Sequence, residues 1–134
     1  MSPADGDVFE IRSPQDIVLV RQEVRARAVN AGLGLVDQTK IITAASELAR
    51  NTLDYGGGGT VTIEMIEAGG RRGVRLTFED DGPGIADLDQ AMKDGYTSGK
   101  GLGLGLGGAK RLSNEFFIHS HVGSGTKVTI ARWK

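Results

Sequence analysis

Apolar and polar residues recur with two different periods along this chain, and each change of period marks a new element. Val8-Phe9-Glu10-Ile11 alternates as a short edge strand does, and Ser13-Pro14 then supplies a helix start with proline at the first helical position. Ile17, Val20, Val24 and Ala28 keep helical spacing as far as Gly32 and Gly34, a natural stop. From Asp37 a second stripe of Ile41, Ile42, Ala45, Leu48, Ala49 and Thr52 runs to Tyr55 and four glycines, Gly56 to Gly59. The period then falls to two. Val61, Ile63 and Met65 alternate with polar residues, a Gly69-Gly70 turn follows, and Val74, Leu76 and Phe78 alternate again, which predicts an antiparallel hairpin. Asp87 to Lys93 fits a short helix and Leu104 to Asn114 a third long one, leading into Phe116-Phe117-Ile118. The turn Gly123-Ser124-Gly125 and a strand from Thr126 to Trp133 close the pattern.

The resulting order is β, α, α, β, β, α, β, β. It predicts an α/β (α+β) two-layer sandwich, with helices on one face of a mixed, mostly antiparallel sheet. A doubly wound parallel sheet would need regular strand-helix alternation. At 134 residues, without repeat, linker or low-complexity tail, the chain is expected to form a single domain over residues 1–134.

Composition narrows the function classes. A formal charge of −1 gives no sign imbalance to attract nucleic acid or acidic lipid, so neither nucleic acid nor membrane is an expected partner. The absence of cysteine removes disulfides and thiolate metal sites, and two histidines are too few to replace them. No basic segment precedes an apolar run, and no stretch approaches the ~18 apolar residues of a membrane span, so a soluble, cytoplasmic protein is expected. Glycine is the anomaly. Its 21 residues are about twice the usual ~7%, and seven of them crowd between Gly95 and Gly108.

Three segments carry candidate chemistry. Glu47 and Asn51, four apart on the second helix, project the same way off its apolar stripe. Such a pair can orient a hydroxyl through the carboxylate and offer a neutral oxygen to Mg²⁺, although two polar residues on a solvated face look the same in isolation. Asp80-Asp81-Gly82-Pro83-Gly84-Ile85 directly follows a strand. Its glycines permit close approach of a flat ligand, and Asp80 can accept a hydrogen bond from an exocyclic amine, favouring adenine over guanine. An ordinary surface turn is the plainer reading. Ser98 to Arg111 is a glycine-rich loop running into a helix, a cradle for phosphate. It is not a dinucleotide fold, because no strand enters Gly103-Leu104-Gly105-Leu106-Gly107-Gly108 and no acidic residue follows at ~20 positions on a second strand. Nor is it a P-loop, since Gly95 to Lys100 is too short and Gly101 stands where Ser or Thr should bind Mg²⁺.

Together, in this order and spacing, the segments resemble the GHKL ATP-binding family of gyrase-type ATPases, heat-shock chaperones, histidine kinases and anti-sigma kinases, over essentially the whole chain. The resemblance implies ATP and Mg²⁺ as cofactors. It makes Glu47 the general base, Asn51 the Mg²⁺ ligand, Asp80, Gly82, Gly84 and Ile85 the adenine box, and Gly101, Leu102, Gly103, Leu104 and Gly105 the second glycine box. Gly125-Thr126 resembles the last box, whose threonine supports the adenine-binding aspartate. With no phosphoacceptor-histidine helix and about 15 residues between Ile85 and Gly101, the chain resembles the small anti-sigma and switch-kinase branch. Val36-Asp37-Gln38, Ser46 to Asn51, Asp94-Gly95-Tyr96 and Gly108 to Leu112 point to its switch kinases.

That branch implies a serine/threonine kinase acting on STAS-domain scaffold or antagonist proteins of a stress-signalling complex, and activating a PP2C-type phosphatase by binding it. The alternatives are a non-catalytic anti-sigma factor that holds a sigma subunit, and an ATPase whose Glu47 activates water. Asp54 departs from the family, many of whose members carry a basic residue there. If it faced the phosphates, Lys100 or Lys110 would have to compensate. His119 and His121 share a strand face without further ligands, and Arg71-Arg72 sits in a hairpin turn, so both are read as solvated. Arg21, Arg25 and Arg27 on the first helix form a candidate docking surface, with a solvated helical face as the equal alternative.

Overall fold

The computed structural model describes residues 6–85 and 105–134. Its elements run β1 (Asp7–Ile11), α1 (Pro14–Asn30), α2 (Leu35–Asp54), β2 (Gly59–Ala68), β3 (Arg71–Asp80), α3 (Gly105–Arg111), β4 (Glu115–His121) and β5 (Gly125–Trp133). The strands form one sheet in the order β1-β2-β3-β5-β4, antiparallel at each of its four described pairings. The expected two-layer sandwich is therefore present, with the helices against one face. The Asp87 to Lys93 helix of the sequence reading lies outside the described residues.

Each helix starts and stops for identifiable reasons. At the head of α1, the Asp16 carboxylate accepts from the Arg12 and Ser13 backbone N–H groups at 2.8 and 3.2 Å, while Pro14 occupies the first turn. Its buried face is Ile17, Val20, Val24 and Ala28, as the spacing predicts. Helix α2 begins two residues before Asp37, and Leu35 and Val36 remain exposed there. Its inner face of Ile41, Ala44, Ala45, Leu48, Ala49 and Thr52 packs on strand residues Val61, Ile63, Val74, Leu76, Phe78, Val128 and Ile130. Small alanines let the helix sit low on the sheet. Met65, expected inward, is exposed where the β2-β3 hairpin runs on towards its turn.

The last helix is shorter than its sequence pattern. Described from Gly105, α3 ends at Arg111 instead of Asn114. The Ser113 amide bonds back only three residues to Lys110, and the Asn114 amide leaves the helix for the Ala131 carbonyl of β5. Capture by the sheet overrides local propensity. The same region holds a tie between layers: Arg132 on β5 donates from Nε and Nη2 to Asp37 Oδ1 at 3.0 and 2.7 Å, and from Nη1 to the Leu112 carbonyl at 3.3 Å. One guanidinium thus joins the start of α2, the end of α3 and the sheet.

The side chains of this pair are only 14% and 31% exposed, so its loss should cost more than that of a surface ion pair and less than that of a fully buried one. Asp37→Ala is expected to lower unfolding free energy by about 2 kcal/mol in urea titrations. A change below about 0.5 kcal/mol would show the tie to be dispensable.

Candidate functional site

The centre of the site is the Asp80 carboxylate at the last position of β3. The register of β3 on β5 sets Asp80 beside Thr126, two residues far apart in sequence. Asp80 Oδ1 accepts from the Gly82 N–H at 2.9 Å, and the Thr126 backbone supplies a second hydrogen bond. Burial pushes the carboxyl above its ordinary value; the Gly82 and Thr126 N–H groups pull it down, and the neighbouring Asp81 charge adds to the rise. Burial wins. The carboxylate is held in place at a net electrostatic cost.

Glycine lets the chain close around it. Helix α2 ends at Asp54, the Tyr55 and Gly56 amides bond back to the Asn51 carbonyl, and the Gly58 amide bonds to Thr52, which brings the backbone across the Asp80 side chain. A Cβ on Gly56 would lie 2.5 Å from Asp80 Cβ and 2.7 Å from Oδ2, while one on Gly82 would lie 2.6 Å from Gly56 Cα. Neither position has room for a side chain. Gly84 takes a positive φ of 78°, and a Cβ there would run into the His121 carbonyl oxygen.

Ser120 ties the two ends of the site together. Its Oγ accepts from the Ile85 N–H at 2.8 Å, lies 2.8 Å from Thr126 Oγ1 and donates to the Gly125 carbonyl at 3.2 Å. The Thr126 hydroxyl therefore partners Ser120, while the backbone of Thr126 supports Asp80; the sequence reading gave that support to the threonine without distinguishing the two. Neither Ser120 nor Gly56 was among the expected site residues. Strand alternation between His119 and His121 placed Ser120 inward, and Gly56 opened an unusual glycine run immediately after the Glu47-Asn51 helix. Those were the available signals.

Glu47 and Asn51 are partly buried on α2, off its core stripe as expected. Glu47 Oε1 accepts a 3.3 Å hydrogen bond from the Gly105 N–H, so the carboxylate reaches the first described residue of α3. This places Glu47 and Gly105 together. Asp80, Gly82, Gly84, Ile85 and Thr126 gather where the chain leaves the carboxyl-terminal end of α2, beside Gly56. Gly101, Leu102, Gly103 and Leu104 lie outside the described residues, as does Lys100.

The remaining candidates resolve differently. Asp54 and Lys110 are exposed. His119 and His121 stack edge-on at 4.6 Å on an exposed strand face, and no group of three or more metal-ligating side chains occurs among the described residues. Arg72 lies 3.9 Å from Glu67, and Arg71 donates to the Lys134 carbonyl beside the Trp133 ring. Arg27 leaves the docking surface proposed for it: it is paired with Asp7 and Glu23 and lies over the Phe9 ring. Among the described residues no helix is long and apolar enough to cross a membrane.

Comparison with known proteins identifies the family and the fold. Residues 36–134 match the family described as histidine kinase-, DNA gyrase B-, and HSP90-like ATPase. The chain is 43% identical over 129 residues to the serine/threonine-protein kinase RsbT of Bacillus subtilis (strain 168), covering 96% of this chain and 97% of that one. Among solved structures it resembles the RsbU and RsbW domains of Rv1364c from Mycobacterium tuberculosis, with a TM-score of 0.62 at 22% identity, over 96% of this chain but only 33% of that longer one. The mycobacterial sensor histidine kinase MprB gives a TM-score of 0.57 at 16% identity, over 96% and 97% of the two chains. Both structural likenesses concern the fold.

Because folding raises the affinity of Asp80 for its proton, the associated stability is fully present below the ordinary aspartate value near pH ~4 and is lost as pH rises through the folded-state value. Asp80→Asn removes the ionisation. The stability of that variant relative to the parent is expected to increase as pH rises from about 4 to about 7, read as a difference in melting temperature. A pH-independent difference would contradict the assigned effect of burial.

Proposed function

Because the chain belongs to the histidine kinase-, DNA gyrase B-, and HSP90-like ATPase family, we propose that it is an ATP-dependent serine/threonine protein kinase that works by partner switching. Full-length similarity to RsbT supports the kinase class. The observation that carries the nucleotide reading is the Asp80 carboxylate, held by backbone N–H groups beneath the side-chain-free surfaces of Gly56 and Gly82. An adenine ring fits such a wall, and its exocyclic amine would donate to a carboxylate already positioned to accept.

In this reading the residues divide the work along α2. Asp80 selects adenine at the helix's carboxyl-terminal end, with Gly82, Gly84 and Ile85 forming the turn and Thr126 holding Asp80 from behind. The phosphates would be held by backbone N–H groups of the second glycine box, Gly101, Leu102, Gly103, Leu104 and Gly105. Asn51, one turn from Glu47, offers the neutral oxygen that suits Mg²⁺, and the ion when bound neutralises charge on the phosphates. Glu47 exchanges its long bond to the Gly105 amide for the hydroxyl proton of the incoming serine. That proton stays on the carboxylate while the serine oxygen bonds to the γ-phosphorus, the bond from that phosphorus to the β–γ bridging oxygen breaks, and ADP leaves with the electron pair. No covalent enzyme intermediate is needed.

The substrate in this proposal is a serine or threonine of a STAS-domain scaffold or antagonist protein, and the second partner is a PP2C-type phosphatase activated by binding. The cytoplasm is the proposed compartment. Transfer should be measured with Mg²⁺ and γ-labelled ATP, with and without a STAS-domain protein from the same organism. Label on a STAS serine is expected. ATP consumption with no partner present would favour a water-activating ATPase, and stable capture of a sigma subunit without transfer would favour an anti-sigma factor.

Glu47→Ala is expected to reduce transfer by about 10²-fold or more while leaving MgATP affinity within about threefold, whereas Asp80→Asn and Gly56→Ala lose nucleotide binding. Calorimetric titration reads the binding and the labelled-phosphate assay reads transfer. Undiminished transfer by Glu47→Ala would remove Glu47 as base.

A further inference from the structure

Helix α2 carries a line of side chains, leading to Glu47, that the packing of the fold does not use. At roughly 100° per residue, Val36 and Lys40 lie within about 20° of the Glu47 direction and Thr43 within about 40°. A rise of roughly 1.5 Å per residue sets Lys40 about 10 Å and Val36 about 16 Å before Glu47 along the helix axis. Val36 is 67% exposed, although an outward valine contributes nothing to seating the helix on the sheet. Lys40 and Thr43 are half-buried. Lys40 has no hydrogen-bond or ion-pair partner among the described residues, and the carboxylate one turn before it, Asp37, is already held by Arg132.

Neighbouring elements give the line a direction. Glu47 accepts from the Gly105 amide at the first described residue of α3, while Arg132 joins Asp37 near the start of α2 to the Leu112 carbonyl just past α3. The two helices therefore run antiparallel, and α3 flanks the amino-terminal half of α2. Charge changes sign across Glu47. Asp54, Asp80 and Asp81 lie towards the carboxyl-terminal end, where the adenine is placed, whereas Lys40 on α2 and exposed Lys110 in the last turn of α3 lie on the other side. A nucleotide reaching from Asp80 to Glu47 leaves that basic half for the molecule that receives its phosphoryl group. A carboxylate on the incoming molecule is attracted there and repelled from the adenine end.

We propose that Val36, Lys40 and Thr43 form the recognition track for the protein substrate. The acceptor hydroxyl meets Glu47, a carboxylate about 10 Å from it pairs with Lys40, and an apolar side chain about 16 Å from it covers Val36. Thr43, between them, offers its hydroxyl to the passing backbone. This inference rests on the kinase reading, and it adds the chemistry of the substrate: a serine or threonine on a surface that presents an acidic and an apolar group in line with it. Lys40 stands two turns from the base, so it acts on binding of the protein and takes no part in the transfer step.

The test follows labelled phosphate from γ-labelled ATP onto a STAS-domain protein from the same organism, over a range of concentrations of that protein at saturating MgATP. Lys40→Glu is expected to raise KM for the protein by about tenfold and Val36→Ser by about threefold, with kcat at saturation within about twofold of the parent. MgATP affinity, read by calorimetry, and melting temperature should be unchanged in both, because Val36 is exposed and Lys40 is unpaired among the described residues. Acidic residues near the labelled serine are then replaced singly by lysine. At one position this is expected to impair transfer by the parent and to restore transfer by Lys40→Glu; no restoring position would remove the Lys40 contact. Parent-like KM in both variants, or a fall in kcat at unchanged KM, overturns the track while leaving the kinase reading in place. Absence of transfer by the parent itself overturns both.

Discussion

A carboxylate that burial disfavours sits at the meeting point of two layers, and the arrangement of the whole site follows from accommodating it. Asp80 is placed by the pairing of β3 with β5, yet its side chain lies where the chain leaving α2 must pass on its way to β2. The two demands are compatible only if that chain carries no side chains at the crossing. Gly56 and Gly82 meet the requirement together, since a Cβ on Gly56 would run into the Asp80 side chain and one on Gly82 would run into the Gly56 backbone. Backbone N–H groups from Gly82 and Thr126 offset part of the desolvation cost but leave the carboxyl above its ordinary value. A donor brought to the remaining lone pairs of this carboxylate would offset more of that cost. Binding sites that are destabilising when empty discriminate well, because a ligand without the donor leaves the group unsatisfied.

Helix α2 turns that local constraint into a long, ordered site. Its inner face is fixed by Ile41, Ala45, Leu48 and Ala49, its beginning by the Asp37–Arg132 pair, and its end by the amides that bond back to Asn51 and Thr52. Residues between those anchors have little freedom. Glu47 and Asn51 project from this rigid rod, which gives them a more exact position than a loop would. The Glu47 bond to the Gly105 amide then links α2 to the first described residue of α3. Fold stability and site geometry therefore share one element, and substitutions on its two faces should separate them.

Much of this was legible in the chain because period and glycine placement are local signals. The inner faces of α1 and of α2 and the β2-β3 hairpin followed from spacing, and the turn that joins Asp80 to Gly82 could be read from adjacent residues. What escaped depended on the sheet. The early end of α3 reflects capture of Asn114 by Ala131, a contact with no sequence signature. Ser120 gained its place only through the register of β4 on β5, which sets it opposite Thr126. The role of Asp37 in pairing with Arg132 joins residues at opposite ends of the chain, and no periodicity could announce it. Gly56 was visible as one of four glycines, but its necessity comes from Asp80, placed by another strand.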